Sequence, residues 1–374
     1  MSTTEALAQP YGRIITVGLR QWKAHNLRPL LAAQCSSLHF ARDAAAARAL
    51  GPGAGDALAV WGAVPPPGIA ALAEASGAAL IRLEDGFIRS VGLGSDLIPP
   101  QSLVMDRTGI YFDATRASDL ETTLQTAPFS DEDRAVAARV RAFIAATGLT
   151  KYNIEPRMVP RWSVQPRPVV LVPGQVETDA SILLGGAQVR RNLDLLRAVR
   201  ASRPEAWIVY KPHPDVMSGN RSGRVALREA AKLADWIETE ASIVSCIEAC
   251  DEVHTITSLS GFDALLRGTP VVTYGAPFYA GWGLTDDRAS VPAWQRRTRR
   301  LTLDELVAGA LLAYPLYWNT AQARPDTCET VLSRIAETRD LLQRNGTLER
   351  LRSGWTRRQL RKLRVLYDVV WGKR

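Results

Sequence analysis

Short apolar runs of strand length alternate with helix-length runs along nearly the whole chain, and one proline-rich stretch interrupts them. Strand candidates in the first half lie at 14–19, 37–41, 57–62, 79–83, 102–106 and 110–113, with a helical run at 69–75 among them. A helix over 131–146 closes the half. This β-α-β-α order predicts a parallel sheet covered by helices on both faces. Residues 151–168 then break the pattern with Pro156, Pro160, Pro166 and Pro168, and read as an interdomain linker. Beyond them the alternation restarts, with strand candidates at 169–172, 207–210, 236–239, 252–257 and 271–274. Helical candidates in this half lie at 192–201, 224–233 and 261–267.

A chain of 374 residues is long for one domain and comfortable for two. The expectation is an α/β protein of GT-B type: two doubly wound, Rossmann-like domains facing a central cleft, with a C-terminal closing helix. The expected boundaries are 1–150 for an acceptor domain, 151–168 for the linker, 169–330 for a donor domain and 331–374 for terminal helices. Ligands in such sheets lie beyond the carboxyl ends of the strands.

Charge is placed unevenly. Residues 350–374 hold nine basic side chains and only Asp368 as an acid, which accounts for the net charge of +8. A basic tail suits an anionic surface better than a nucleic-acid groove, which spreads positive charge along its length. Leu360, Leu363, Tyr367 and Val370 make an apolar stripe there, with Trp355 and Trp371 nearby, as in an amphipathic helix at a membrane surface. Packing of that helix on the first domain is the competing reading. No run approaches the ~20 apolar residues of a membrane span, and the first residues lack a secretory signal pattern, so a cytoplasmic protein is expected. Cys35, Cys246, Cys250 and Cys328 form no CxxC pair and read as buried thiols.

Four motifs follow strands. Glu84-Asp85-Gly86-Phe87-Ile88-Arg89 puts two carboxylates and an arginine on a glycine turn, which suits a general acid/base with its partner and equally a salt-bridge cluster. Gly174-Gln175-Val176-Glu177-Thr178-Asp179-Ala180-Ser181 is polar where a loop faces ligand, with Asp179 also placed to cap a helix. Lys211-Pro212-His213-Pro214 offers a charge and a donor for phosphate on a stiffened loop, or a structural turn. Thr257-Ser258-Leu259-Ser260-Gly261 leads hydroxyls into a helix N-terminus, which serves anion binding and ordinary capping alike. Asp179 and Glu84 are expected to face one another from opposite walls of the cleft, the pairing a double displacement with retention needs. No DxD follows a strand, no Cys/His set has zinc spacing and no GxxxxGK[ST] is present. Asp131 and Asp133 fit a helix N-terminus instead.

These motifs resemble the KpsC/LipB-type capsule polysaccharide family. The resemblance rests on EDGFIRSVGLGSDLIPPQSLVMDRTGIYFDATRASDLE (84–121), GQVETDASI (174–182), YKPHPDV (210–216) and TSLSGFDALLRGTPVVTYGAPFYAGWGLTDD (257–287), and covers roughly 12–320. It implies a GT-B, retaining β-Kdo transferase that moves Kdo, an acidic ulosonic sugar, from CMP-β-Kdo to a lipid-linked Kdo or polysaccharide acceptor. It implies Asp179 as nucleophile, and Glu84, with Asp85 the lesser choice, as acid/base. His213, Ser258 and Ser260 would hold the CMP phosphate. Gln175 and Gly261 belong to the same donor motifs, and Arg89, Lys211 and Tyr279 would contact the Kdo carboxylate or the ribose. A monophosphate leaving group held by His213, Lys211 and a helix N-terminus needs no metal, so no cofactor is expected. Many members carry two such modules in tandem, whereas this sequence shows one, which implies a single kind of β-Kdo linkage. A UDP-sugar-dependent transferase or epimerase, and a non-catalytic capsule assembly or export protein, are the alternatives. A donor panel, and the loss or survival of function in Asp179→Ala, separate them.

Overall fold

The computed structural model describes residues 10–348 except 156, 163–165, 214–215, 217–222 and 224, together with 363 and 367. The first part of the chain runs β1 (Tyr11–Val17), α1 (Gln21–Ala32), β2 (Cys35–Ala41), α2 (Ala44–Ala49), β3 (Ala57–Trp61), α3 (Ile69–Ser76), β4 (Ala79–Asp85), β5 (Ser102–Asp106), α4 (Asp119–Thr126) and α5 (Asp131–Thr147). It continues through β6 (Val169–Pro173), α6 (Ala180–Gly185), α7 (Asn192–Ser202), β7 (Trp207–Lys211), α8 (Leu227–Ala230), β8 (Trp236–Ile237), α9 (Ile243–Glu248), β9 (Glu252–Thr255), α10 (Leu259–Leu265), β10 (Val271–Thr273) and β11 (Asp286–Asp287). Last come α11 (Leu303–Val307), a π-helical turn (Ala308–Ala313), β12 (Pro315–Asn319), β13 (Arg324–Asp326) and α12 (Cys328–Arg344). The terminal basic helix expected over 350–374 lies outside the described residues, apart from Leu363 and Tyr367, which are helical.

Two compact units emerge, and neither is continuous in sequence. Unit 1 comprises Met1–Ile110, Lys151–Ile154 and Tyr314–Arg374; unit 2 comprises Tyr111–Thr150 and Glu155–Ala313. The linear boundaries expected at 150 and 330 therefore differ from the division the contacts make.

In unit 1 the sheet order is β13-β12-β5-β4-β3-β1-β2. Strands β2, β1, β3 and β4 are parallel, while β5, β12 and β13 each run antiparallel to the preceding neighbour. The all-parallel expectation is thus corrected at one edge. The link from β4 to β5 contains only a 3-10 turn (Gly94–Asp96) and no crossover helix, so the chain returns in the opposite sense. Successive residues of the parallel strands point to opposite faces. Ile14, Ala57, Ala59 and Ile81 meet Leu27, Leu30 and Leu31 of α1, whereas Ile15, Leu58 and Val60 meet Ile69 and Leu72 of α3. Burial on both faces explains why these strands read as continuous apolar runs rather than alternating ones. β12 joins this sheet beside β5, and Arg334 of α12 donates to Gln101 Oε1 at 3.1 Å, so the closing helix belongs to unit 1.

Unit 2 holds a six-stranded, wholly parallel sheet in the order β11-β10-β9-β6-β7-β8. This is the doubly wound order, which reverses between β6 and β9. Val170, Val172, Ile208 and Tyr210 pack on Leu195, Leu196 and Val199 of α7. Helices α4 and α5 also belong here. Glu121 of α4 takes Arg296 Nε at 2.5 Å and Arg297 Nε at 2.8 Å, and Arg141 of α5 pairs with Asp304 at 2.9 Å. Gly309 admits α4: a Cβ there would fall 2.5 Å from Leu124 Cδ2. Ser130 and Asp133 close a capping box at the start of α5, as the acid-rich N-terminus suggested.

Two expected elements change character. Residues 110–113 form no strand. Asp113 Oδ1 instead accepts from Thr115 N at 3.0 Å and Thr115 Oγ1 at 2.5 Å, which turns the chain, and Tyr111 packs edge-on against Phe278. Apolar aromatic side chains at a crossing point mimic a strand run. The proline-rich stretch is likewise packed against unit 2: Trp162 is buried and donates to Glu238 Oε2 at 2.8 Å, and Glu155 Oε2 accepts Ile243 N at 3.0 Å.

Candidate functional site

Polar side chains collect at the carboxyl ends of the strands in each unit. In unit 1 the centre is the end of β4. Gly86 lets the chain turn tightly against β5, since a Cβ there would lie 2.2 Å from Ser102 Oγ. The turn is set by Gly86 N donating to Ser102 O at 3.2 Å and by Ser102 Oγ donating to Ile88 O at 2.6 Å. Arg89 is buried, and its two Nη atoms bond within the loop while Nε pairs with Asp85 by charge without a hydrogen bond. Nε lies 2.8 Å from Asp85 Oδ1, Nη1 donates to Ser90 Oγ at 2.9 Å, and Nη2 donates to Ile98 O at 2.7 Å. As placed, Arg89 braces the motif.

That arrangement separates the two neighbouring carboxylates. Asp85 is ion-paired to Arg89, whereas among the described residues Glu84 makes no ion pair and accepts only Asp85 N, at 3.0 Å. Burial lifts the Glu84 carboxyl to about 7; Lys151 and Lys23 pull it down, and Asp85 pushes it up. A carboxyl near neutrality is suited to exchange protons with a hydroxyl. Lys23, in the first turn of α1, is held 3.2 Å from the centroid of the Trp61 ring at the end of β3. Burial lowers its ammonium to about 8, against the opposing pull of Glu84 and Asp85. The motif-based reading singled out neither Lys23 nor Trp61, because they follow β1 and end β3 without forming a local motif.

In unit 2, three loops after β6, β7 and β9 are knotted together. Gly174 N donates to Lys211 O at 2.8 Å, and a Cβ on Gly174 would come 3.2 Å from His213 N, so glycine permits the loops to meet. Buried Gln175 bridges β6 to β9: Nε2 donates to Thr257 Oγ1 at 3.1 Å, and Oε1 accepts Thr257 N at 3.0 Å and Thr255 Oγ1 at 3.2 Å. Its backbone is clasped by Asn192, whose Oδ1 accepts Gln175 N at 2.8 Å. Asp179 caps α6, with Oδ1 accepting Ser181 N at 3.0 Å and Ser181 Oγ at 2.9 Å; Thr257 Oγ1 reaches Ser181 Oγ at 3.4 Å. Thus Asp179 is brought to the β9 loop through two hydroxyls.

Ser258 caps α10, accepting Ser260 N at 3.2 Å and donating to Ser260 Oγ at 3.1 Å. His213, half-buried, lies in the loop that approaches Gly174. Three of the residues expected at the donor have hydrogen-bond partners within the fold. Lys211 is buried and donates to Ala241 O at 2.5 Å. Tyr279 is buried and donates to Ser258 O at 2.5 Å. Gly261 makes room for that phenol, because a Cβ would fall 2.2 Å from Tyr279 Oη. Gln175 is consumed as described. These residues shape the loops that present His213, Ser258 and Ser260.

Behind them, Asp263 of α10 is buried, and loss of solvent lifts its carboxyl to about 6 against the pull of Arg267. The cysteines are free thiols, and burial pushes Cys246 and Cys328 up to about 12. Among the described residues no group of His, Cys, Asp and Glu is arranged to hold a metal ion, and no helix is long and apolar enough to cross a membrane.

The model of a family described as "Capsule polysaccharide biosynthesis protein" matches residues 56–161 and 158–317. The chain is 41% identical over 356 residues to the capsule polysaccharide modification protein LipA of Neisseria meningitidis serogroup B, covering 95% of this chain and 49% of that one. It is 42% identical over 279 residues to the lipopolysaccharide-processing protein LpsZ of Rhizobium meliloti, covering 74% and 61%. The chain therefore spans about half the length of the LipA proteins it matches. Among solved structures, the β-Kdo 2,4 transferase of Thermosulfurimonas dismutans KpsC superposes with a TM-score of 0.75 at 34% identity, covering 87% of this chain and 98% of that one. The β-Kdo 2,7 transferase of the same protein gives 0.69 at 35%, covering 87% and 99%.

Proposed function

Because the chain belongs to the capsule polysaccharide biosynthesis family, we propose that it is a retaining β-Kdo glycosyltransferase that takes Kdo from CMP-β-Kdo to a glycolipid or polysaccharide acceptor. The observation that carries the reading is the asymmetry at the end of β4. One carboxylate, Asp85, is committed to Arg89, and the other, Glu84, has no ion pair among the described residues and is lifted to about 7. A general base works best when its pKa lies near the working pH.

The chemistry is a double displacement. An Asp179 carboxylate oxygen attacks the anomeric carbon of Kdo, and the bond to the phosphate oxygen of CMP breaks, the electron pair leaving with CMP. His213, Ser258 and Ser260 would meet the phosphate charge. Since a monophosphate leaves as a stable anion, no proton need be supplied in that step, and the charge it carries is small enough for these groups without a divalent metal. Glu84 then takes the proton of the acceptor hydroxyl as its oxygen attacks the anomeric carbon, and Asp179 departs as a carboxylate. Two inversions return the original configuration.

The test is direct. CMP-Kdo is generated in situ, a synthetic Kdo-terminated acceptor is added with EDTA present, and product is followed by mass spectrometry for wild type and Asp179→Ala. Transfer by wild type alone is the expected result, with a Kdo adduct on a peptide containing Asp179 when Glu84 is replaced by glutamine. No transfer by wild type, with transfer from a UDP-sugar instead, overturns the donor assignment.

A further inference from the structure

Lys23 is a cation with no direct ion pair among the described residues. Its Nζ rests 3.2 Å from the centroid of the Trp61 ring and 5.5 Å from that of Trp22. Among the described residues it makes no hydrogen bond and no ion pair. An indole face holds an ammonium by its negative quadrupole but leaves the N–H donors unspent. The nearby carboxylates do not use them: Asp85 is paired with Arg89, and Glu84 Oε1 accepts from the Asp85 backbone. Lys23 also lies where the strand order of unit 1 reverses, because β1 sits between β2 and β3. That reversal point is where sheets of this class take ligands.

We propose that Lys23, stacked on Trp61 beyond the carboxyl ends of β1 and β3, seats the carboxylate of the acceptor's terminal acidic sugar; this rests on the transferase reading above. A singly charged carboxylate suits one ammonium beside Glu84 and Asp85 better than a phosphate dianion does, since the two acids repel added charge. The indole beside the ammonium offers an apolar face to the sugar's C–H groups. The seat would hold the acceptor so that a hydroxyl reaches Glu84, and it would make the enzyme select acidic over neutral acceptors.

The test uses the full chain without donor. The methyl glycoside of Kdo, its methyl ester and glycerophosphoglycerol are titrated and followed by ligand-observed NMR at pH 7. Wild type binds the glycoside, and Lys23→Met weakens binding about tenfold or more, the scale of a charge-assisted hydrogen bond. Lys23→Arg keeps it. The ester binds wild type no better than the glycoside binds Lys23→Met, a comparison that includes the unmutated chain. Affinity of wild type falls as pH rises from 7 to 9. Lys23, at about 8, loses its proton against Glu84 and Asp85, which favour the charge, and Arg89 and Arg20, which oppose it. Glu84, at about 7, gains charge over part of the same range. In Lys23→Met only the Glu84 part of that fall remains. Equal binding of ester and glycoside, preference for glycerophosphoglycerol, or no binding by wild type overturns the proposal. Turnover of CMP-Kdo decides the transferase reading separately, because the titration needs no turnover.

Discussion

The two units place functional groups at strand ends by opposite means. Unit 1 gathers charges and withdraws them from water: Glu84 is lifted to about 7, Lys23 is lowered to about 8, and Arg89 is buried against Asp85. Unit 2 relies on neutral hydrogen bonds, with Gln175 and Asn192 knotting the loops that carry Asp179 and Ser258. A proton-transfer group needs a tuned pKa, which burial and unequal pairing supply. A leaving-group cradle needs donors held in fixed positions, which interlocked loops supply.

The largest effect should come from the residue that does both jobs. Asp179→Ala removes the proposed nucleophile and the cap of α6, whereas Asp179→Asn keeps a capping oxygen. Both should lower Kdo transfer by a factor of about 1,000 or more, the range seen when a residue essential to a covalent step is removed. Only the alanine variant should also lose about 1 kcal/mol of stability. Activity surviving in the asparagine variant would show that unit 2 uses Asp179 only to shape a loop.

Glu84→Gln should lower transfer by about 100-fold to 10,000-fold, the usual weight of general base catalysis. In wild type, kcat should rise with pH and level off above about 7, because the base must be ionised. That limb should be absent from Glu84→Gln. Asp85→Asn should instead leave buried Arg89 uncompensated and cost about 3–5 kcal/mol, read by denaturant unfolding. If Asp85→Asn unfolds normally and removes the limb, the roles of the two carboxylates are reversed.

Asp263 is a buried acid within unit 2 whose carboxyl is lifted by loss of solvent. Its folded pKa, about 6, lies above the unfolded value near 3.8. The folded state therefore keeps the proton longer, and stability falls as pH rises from about 4 to 6 and is flat above. Asp263→Asn should be more stable than wild type at pH 8 by up to about 3 kcal/mol, with the gain vanishing below pH 4. A constant difference across pH would place the effect in packing instead of charge. The smallest effect on the two sites should come from deleting 350–374, which carries the basic excess of the chain. Sedimentation with anionic liposomes should fall, since each basic residue near such a surface is worth about 1 kcal/mol. Unchanged sedimentation would remove the tail from membrane binding.

Most strand positions in the parallel parts, the four motifs, the acid-rich start of α5 and the caps at Asp179 and Ser258 were legible in the sequence. They depend on neighbours in the chain: apolar runs buried on both sheet faces, glycines at tight turns, and hydroxyls or acids that reach the next backbone N–H. What each motif residue does was less legible. Lys211, Tyr279 and Arg89 look like ligand contacts in a motif, yet their partners Ala241, Ser258 and Ile98 are set by how loops return in space. The same holds for the unit boundaries. Glu121 meets Arg296 and Arg297 across a long sequence separation, and β12 comes back to pair with β5. Local pattern thus determined which elements form and where polar loops fall. Only tertiary packing decided which polar atoms were spent on the fold and which, like Glu84 and Lys23, have no ion pair among the described residues, because desolvation and pairing are properties of the surroundings and not of the residue.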